Sequence, residues 1–185
     1  MASETDEQIA TRVQQGDSNA FGELIERYQA KLMRYARKFL SDPEDAADVV
    51  QDIFIKAYQN IQSFDTARRF SPWIYRIAHN EFVNALKKKQ ASRTVFSFDI
   101  DTLFPHLAAT DTADSATLER DLRASLEKHL EKLDAKYREP LILYYLESMD
   151  YKEIYDILQI PVSTVGVRLG RARAMLKKLA DTSNL

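Results

Sequence analysis

Cysteine is absent from the 185-residue chain. That removes disulfides, thiol catalysis and thiolate metal sites. Glycine is scarce, with four residues, and there are five prolines. So few backbone breakers, beside abundant Leu, Ala, Glu, Lys and Arg, point to an all-α protein. No apolar run approaches the roughly 18 residues of a membrane span. The polar, acidic start MASETDEQ has no apolar core of a signal peptide. These absences lead us to expect a cytoplasmic protein with no membrane insertion. Ser-His-Asp arrangements and phosphate-binding glycine loops are missing, and His79, His106 and His129 are scattered. Neither an enzyme nor a cofactor is expected. Asp45, Asp48 and Asp52 could serve a helical metalloenzyme, but that design needs a Glu-x-x-His pair, and none is present. The acidic run reads instead as a partner-binding face, with no metal.

Hydrophobic residues make up 45% of the chain, enough for a real core, and net charge is only −2. The distribution says more than the sum. Residues 41–55 hold five acids and no base, while residues 66–93 hold seven bases and one acid. Residues 94–118 hold four aspartates and no base, and residues 161–180 hold five bases and no acid. Two basic surfaces are implied, with acidic surfaces reserved for another partner.

Three helical repeats fill the first ninety residues. Residues 19–40 place Phe21, Leu24, Ile25, Tyr28, Leu32, Tyr35, Ala36 and Phe39 on one face. After the break at Ser41-Asp42-Pro43, residues 44–61 place Ala47, Val50, Phe54, Ala57 and Ile61 on a stripe. Ser71 and Pro72, an N-cap followed by a first-turn proline, open a third helix. Its core side is Ile74, Ile77, Ala78, Phe82, Ala85 and Leu86. The helical signal fades after Lys89. Residues 94–117 look like a linker, with Phe96, Phe98, Leu103 and Phe104 suited to dock on a surface. Leu118, Leu122, Leu126, Leu130 and Leu133 mark a helix of a second domain, and residues 137–147 mark the next.

Opposite the core of the third helix, Arg76, Asn80, Asn84 and Lys88 recur every four residues and share one face. Asn can pair with base edges, and Arg and Lys hold phosphates. Phe64, Phe70, Trp73 and Tyr75 stand beside this row, interleaved with Arg68 and Arg69. Aromatics with cations suit unstacked bases on a single strand. Phe70 and Trp73 suit a core better. Phe64, in the loop, is the platform candidate.

The stretch from Asp150 to Leu179 reads as helix, tight turn and basic helix, a helix-turn-helix. Asp150 and Glu153 have capping-box spacing, and Pro161 fits the first turn of the second helix. Val165, Leu169, Ala172, Leu176 and Leu179 form its core stripe. Ser163, Gly166, Gly170 and Ala174 fall roughly opposite.

The segments EDAADVVQDIFIKAYQNIQSF, FSPWIYRIAHNEFVNALKKK and EPLILYYLESMDYKEIYDILQIPVSTVGVRLGRARAMLKKL, in this order, resemble bacterial sigma factors of the extracytoplasmic-function (ECF) group. The resemblance covers nearly the whole chain. It implies two small helical domains: region 2 over residues 1–92, a linker over 93–117, and region 4 with the helix-turn-helix over 118–185. The implied function is initiation of transcription, by binding core RNA polymerase and directing it to promoters. Asp48, Gln51, Asp52, Ile55 and Lys56 would dock on the coiled coil of the largest polymerase subunit, and the flap of the second subunit is a further implied contact. Phe64, Arg68, Arg69, Arg76, Asn80, Asn84, Lys87 and Lys88 would engage the melted −10 strand. Ser163, Thr164, Gly166, Val167, Arg168, Gly170, Arg171, Arg173 and Lys177 would meet the duplex −35 element. An anti-sigma factor is a further candidate partner.

Five positions in region 4 depart from the family pattern. Tyr155 replaces a small residue and must point outward to spare the helix packing. Gln159 stands at a turn where glycine is usual, because glycine accepts a left-handed backbone. Gly166, Val167 and Gly170 stand where larger or more polar side chains are usual. Such a bare face is expected to approach DNA closely and select it by shape, or else to receive a protein helix. The competing function is a two-domain helix-turn-helix regulator acting without core polymerase.

Overall fold

The structure, a computed structural model, describes residues 4–91 and 129–183. The proposed linker aromatics, Arg93 and the stretch from Leu118 to Leu126 lie outside them. The chain divides into two compact units, Met1–Phe96 and Ser97–Leu185. Among the described residues every regular element is helical. None of these helices is long and apolar enough to cross a membrane.

The first unit opens on a helix that the hydrophobic repeats do not announce, α1 (Asp6–Gln14). Thr5 caps it: its Oγ1 accepts from Gln8 N at 3.3 Å, and Gln8 Oε1 accepts from Thr5 N at 2.9 Å. Ile9, Ala10 and Val13 are its buried side. Asp17 caps a short 3-10 turn that runs into α2 (Phe21–Ala36). Arg12 gathers Glu4 at 2.9 Å, Asp17 at 2.7 Å and Glu23 at 3.0 Å, tying α1 to the start of α2. These groups are largely exposed, so solvent screens each pair and the tie contributes little to stability.

Asp42 caps α3 (Pro43–Asn60), accepting from Glu44 N at 2.9 Å, with Pro43 in its first turn. Its buried residues are Ala46, Val50, Ile53, Phe54 and Ala57, whereas Ala47, expected on the stripe, is exposed. The buried arc is rotated because α3 packs against two partners, α2 on one side and α4 (Phe70–Ala91) on the other. On α4 itself Ile74, Tyr75, Ala78 and Phe82 are buried, while Ile77, Ala85 and Leu86 are only half-buried. Tyr35 lies at its centre, with ring centroids of Tyr75 and Phe82 both at 5.2 Å.

Ser71 was expected to cap α4. The helix instead begins at Phe70, whose N–H donates to Glu7 Oε1 of α1 at 2.9 Å. A carboxylate from a distant helix supplies both the acceptor and the negative charge that a helix start favours. Tyr28 bridges the same elements. Its hydroxyl donates to Asp6 Oδ2 at 2.6 Å and also bonds Ser71. Burial, reinforced by the Asp6 bond, pushes the Tyr28 phenol well above its usual value.

The second unit starts with buried Leu130 and Leu133 around a 3-10 turn, followed by α5 (Ala135–Leu141). Pro140 sits inside α5, where it has no N–H to donate, and the chain continues as a wide π turn over Ile142–Leu146. Such turns often accompany a disturbed hydrogen-bond ladder. Ser148 then takes φ +55° and lets Met149 N–H reach Leu143 O at 3.0 Å. The capping box of α6 (Tyr151–Leu158) is formed in both directions, Asp150 with Glu153, at 2.8 Å each. Tyr155 is 44% exposed and points outward, which spares the packing. Gln159 takes the left-handed backbone, φ +55° and ψ +37°, despite its side chain. In α7 (Val162–Ser183) Val165, Leu169, Ala172 and Leu176 are buried, while Leu179 is half-buried at the end of the stripe.

Candidate nucleic-acid interface

In the first unit the candidate residues form one exposed surface. Arg76, Asn80, Asn84, Lys87 and Lys88 on α4 are all exposed, as are Arg68 and Arg69 in the loop before it. The loop is folded locally by Asp65, an Asx turn. Asp65 Oδ1 accepts from Ala67 N at 3.0 Å and its carbonyl from Arg68 N at 2.9 Å. Arg68 reaches back to Asp65 at 3.6 Å with its side chain 76% exposed. So open a pair leaves the guanidinium available to a phosphate at small cost.

Phe64 requires a correction. Its ring is 5% exposed and is not a free platform. It packs on Phe70 at 5.3 Å and Trp73 at 5.1 Å between centroids, so it anchors the loop from beneath. The backbone turn Ile61–Ser63 brings it in, and an apolar ring at that point is drawn under the loop. Phe70 and Tyr75 are fully buried, and Trp73 is half-buried. What the loop presents outward is cationic and polar.

A different face carries the acids. Asp48, Gln51, Asp52, Ile55 and Lys56 on α3 are all exposed, and Ile55 reaches 46%. Lys56 pairs across to Glu81 of α4 at 2.6 Å, which leaves the aspartates to dominate the face. Beside them runs an apolar groove of about 610 Å³ between α2 and α3. Phe21, Ile25, Met33, Phe54, Ile55 and Tyr58 line it. The repeats placed Ile25 in the core, and it faces this groove instead.

In the second unit the sequence-chosen residues do not all share one surface. Ser163, Ala174 and Lys177 are exposed, and Thr164, Val167, Gly170, Arg171 and Arg173 are half-buried. Arg168 is also half-buried, and burial lowers its basicity from the usual value. That desolvation makes it the least suited of the arginines to meet a phosphate. The small-residue strip is also less bare than its spacing suggests. A Cβ on Gly166 would lie 3.6 Å from the Tyr151 ring, whereas one on Gly170 would meet nothing within 4 Å. Tyr151, which meets Tyr144 edge-on at 5.6 Å between centroids, was not singled out by sequence. Its place at the start of α6 was the available signal.

The sigma-70 region 2 family matches residues 24–92, and the sigma-70 region 4 family matches residues 123–176. The chain is 33% identical over 172 residues to the ECF RNA polymerase sigma factor SigW of Bacillus subtilis, covering 90% of this chain and 92% of that protein. It is 34% identical over 178 residues to the ECF RNA polymerase sigma-E factor of Haemophilus influenzae, covering 94% of each. Among solved structures, CnrH in complex with the cytosolic domain of CnrY is similar, with TM-score 0.69 and 31% identity, covering 97% of this chain and 99% of that one. The chain belongs to the ECF RNA polymerase sigma factors.

Proposed function

We infer that this protein is a transcription initiation factor that binds core RNA polymerase, directs it to specific promoters and helps open the −10 element. One observation carries the reading beyond family membership. The first unit presents two chemically opposite faces, the exposed Arg76-Asn80-Asn84-Lys88 row with its cationic loop, and the acidic, partly apolar side of α3. Melted DNA suits the first, and a basic protein surface suits the second. A regulator working without polymerase has no use for that second face. The protein acts in the cytoplasm, without catalysis of its own.

Region 2 is assigned to residues 1–92, the linker to 93–117 and region 4 to 118–185. Asp48, Gln51, Asp52, Ile55 and Lys56 contact the polymerase coiled coil. Asn80 and Asn84 hold −10 bases, while Arg68, Arg69, Arg76, Lys87 and Lys88 hold the strand. Region 4 lies along the −35 duplex and contacts the polymerase flap, with Arg171, Arg173 and Lys177 on phosphates. Gly170 permits close approach, so selection there rests mostly on DNA shape. An anti-sigma factor would compete for these surfaces.

The test is transcription from a promoter library with core polymerase. Added protein should create new start sites, and the reading fails if it creates none. In the same system Asp48→Lys with Asp52→Lys should weaken core binding by about tenfold or more, since like charges now meet across the interface. Unchanged competition for core polymerase would remove α3 from the docking surface.

A further inference from the structure

Both ends of the −10 loop are held by one helix that lies outside the family match, and that helix is α1. At the loop's entry, Gln14 Nε2 donates to Ile61 O at 2.7 Å and to Phe64 O at 2.8 Å. Gln62 Nε2 returns a bond to Gln14 O at 3.2 Å. At its exit, Glu7 Oε1 accepts from Phe70 N at 2.9 Å. Glu7 and Gln14 stand seven residues apart, two helical turns, and so share a face of α1. Next to Glu7, Asp6 holds the Tyr28 hydroxyl that also bonds Ser71. The region 2 match begins at residue 24, after α1 has ended.

We propose that α1 is a positioning element for −10 capture, with Gln14 and Glu7 as positioning residues that set the span of the 64–70 loop. The inference rests on the promoter-opening function above. Its physical content is that a flipped base needs a receiving loop already in place. Two backbone carbonyls and one amide are fixed by side chains from 47 to 63 positions away in sequence. When those ties are lost, Arg68, Arg69 and the Phe64 anchor sample many arrangements, and each capture event must first reorder them. The ties touch neither the acidic α3 face nor region 4, so recruitment to polymerase and duplex −35 binding should be spared.

The test uses holoenzyme assembled with core polymerase and a promoter that the library experiment yields. Opening is followed by permanganate reactivity of −10 thymines, core affinity by competition, and folding by thermal melting. Gln14→Ala and Glu7→Ala should each slow opening about tenfold, the scale of one or two lost hydrogen bonds, with core affinity unchanged. Two near-isosteric variants separate positioning from bulk stability. Glu7→Gln keeps an oxygen acceptor for Phe70 N–H and should open promoters nearly as wild type. Gln14→Glu has no donor for the two carbonyls and should behave like Gln14→Ala. Ile53→Val, a buried change distant from the loop, serves as a stability control. The proposal is overturned if Gln14→Glu opens normally, if Glu7→Gln is as slow as Glu7→Ala, or if Ile53→Val slows opening equally at matched melting temperature. If the wild-type holoenzyme opens no promoter at all, the functional reading fails instead.

Discussion

Replacing Asn80 and Asn84 together with alanine should nearly abolish promoter opening while leaving core polymerase binding intact. Both side chains are exposed on α4, four residues apart, with Arg76 and Lys88 completing the row. With the Phe64 ring buried beneath the loop, the outward surface offers few groups that can tell one base from another. The two amides are the groups of that row best able to pair with base edges. Each lost base contact costs about 1–3 kcal/mol, so the double change should reduce opening by roughly 30-fold to 25,000-fold. Single-turnover transcription on duplex and pre-melted templates separates the steps. The defect should persist on the pre-melted template, because capture rather than unpairing is lost. Near-normal transcription there would sink the assignment of Asn80 and Asn84 to base capture.

A second large effect is expected in region 4, where glycine and non-glycine residues stand in exchanged places. Ser148 and Gln159 adopt φ +55° without being glycine. Gly166 and Gly170 lie inside α7, where a methyl would meet at most an ordinary contact. A left-handed non-glycine residue costs about 1 kcal/mol, and a mid-helix glycine costs a similar amount. Ser148→Gly, Gln159→Gly, Gly166→Ala and Gly170→Ala together should stabilise region 4 by about 3 kcal/mol. Gln159 gives up its bond to Asp156 O at 2.7 Å, which trims the gain. The melting temperature of the C-terminal unit should rise by more than about 10 °C.

Function should move the other way. If α7 meets the −35 duplex by close approach, the two alanines weaken −35 binding although they strengthen the helix. The two capping substitutions should leave binding unchanged. Salt titration on −35 duplex would separate a steric loss from a lost phosphate contact, because only the latter changes the slope. Tight −35 binding by the alanine pair would show that the strip does not face DNA.

Much of the fold could be read from local rules. The helix at Asp150 announces itself by a capping box, and the structure forms it in both directions. The Asn80–Asn84 row follows from four-residue spacing alone, and its residues are exposed as the spacing implies. Tyr155 could only spare the packing of α6 and α7 by pointing outward, and it is 44% exposed. Other features were hidden because their causes are distant in sequence. The first turn of α4 is completed by Glu7, 63 residues earlier. Phe64 looked like a loop aromatic, and only its packing against Phe70 and Trp73 makes it an anchor. Ala46 and Ala47 are adjacent alanines, and which one is buried depends on where α2 and α4 pack. Arg168 carries the same charge as Arg171 in the sequence, and only the fold shows that burial lowers its basicity.

By itself, the sequence determined the helical class, the capping box at Asp150, the segregation of acid from base and the family. Each of these depends on residues within a turn or two of one another, or on their order along the chain. The loop's rigid ends, the buried Phe64, the apolar groove beside the acidic face and the half-covered Gly166 were decided by tertiary structure. Those features depend on side chains meeting across tens of residues, and periodicity carries no information about which faces will meet. The 64–70 loop shows the division most clearly. Its cations are legible in the sequence, but the helix that holds them in place is visible only in the fold.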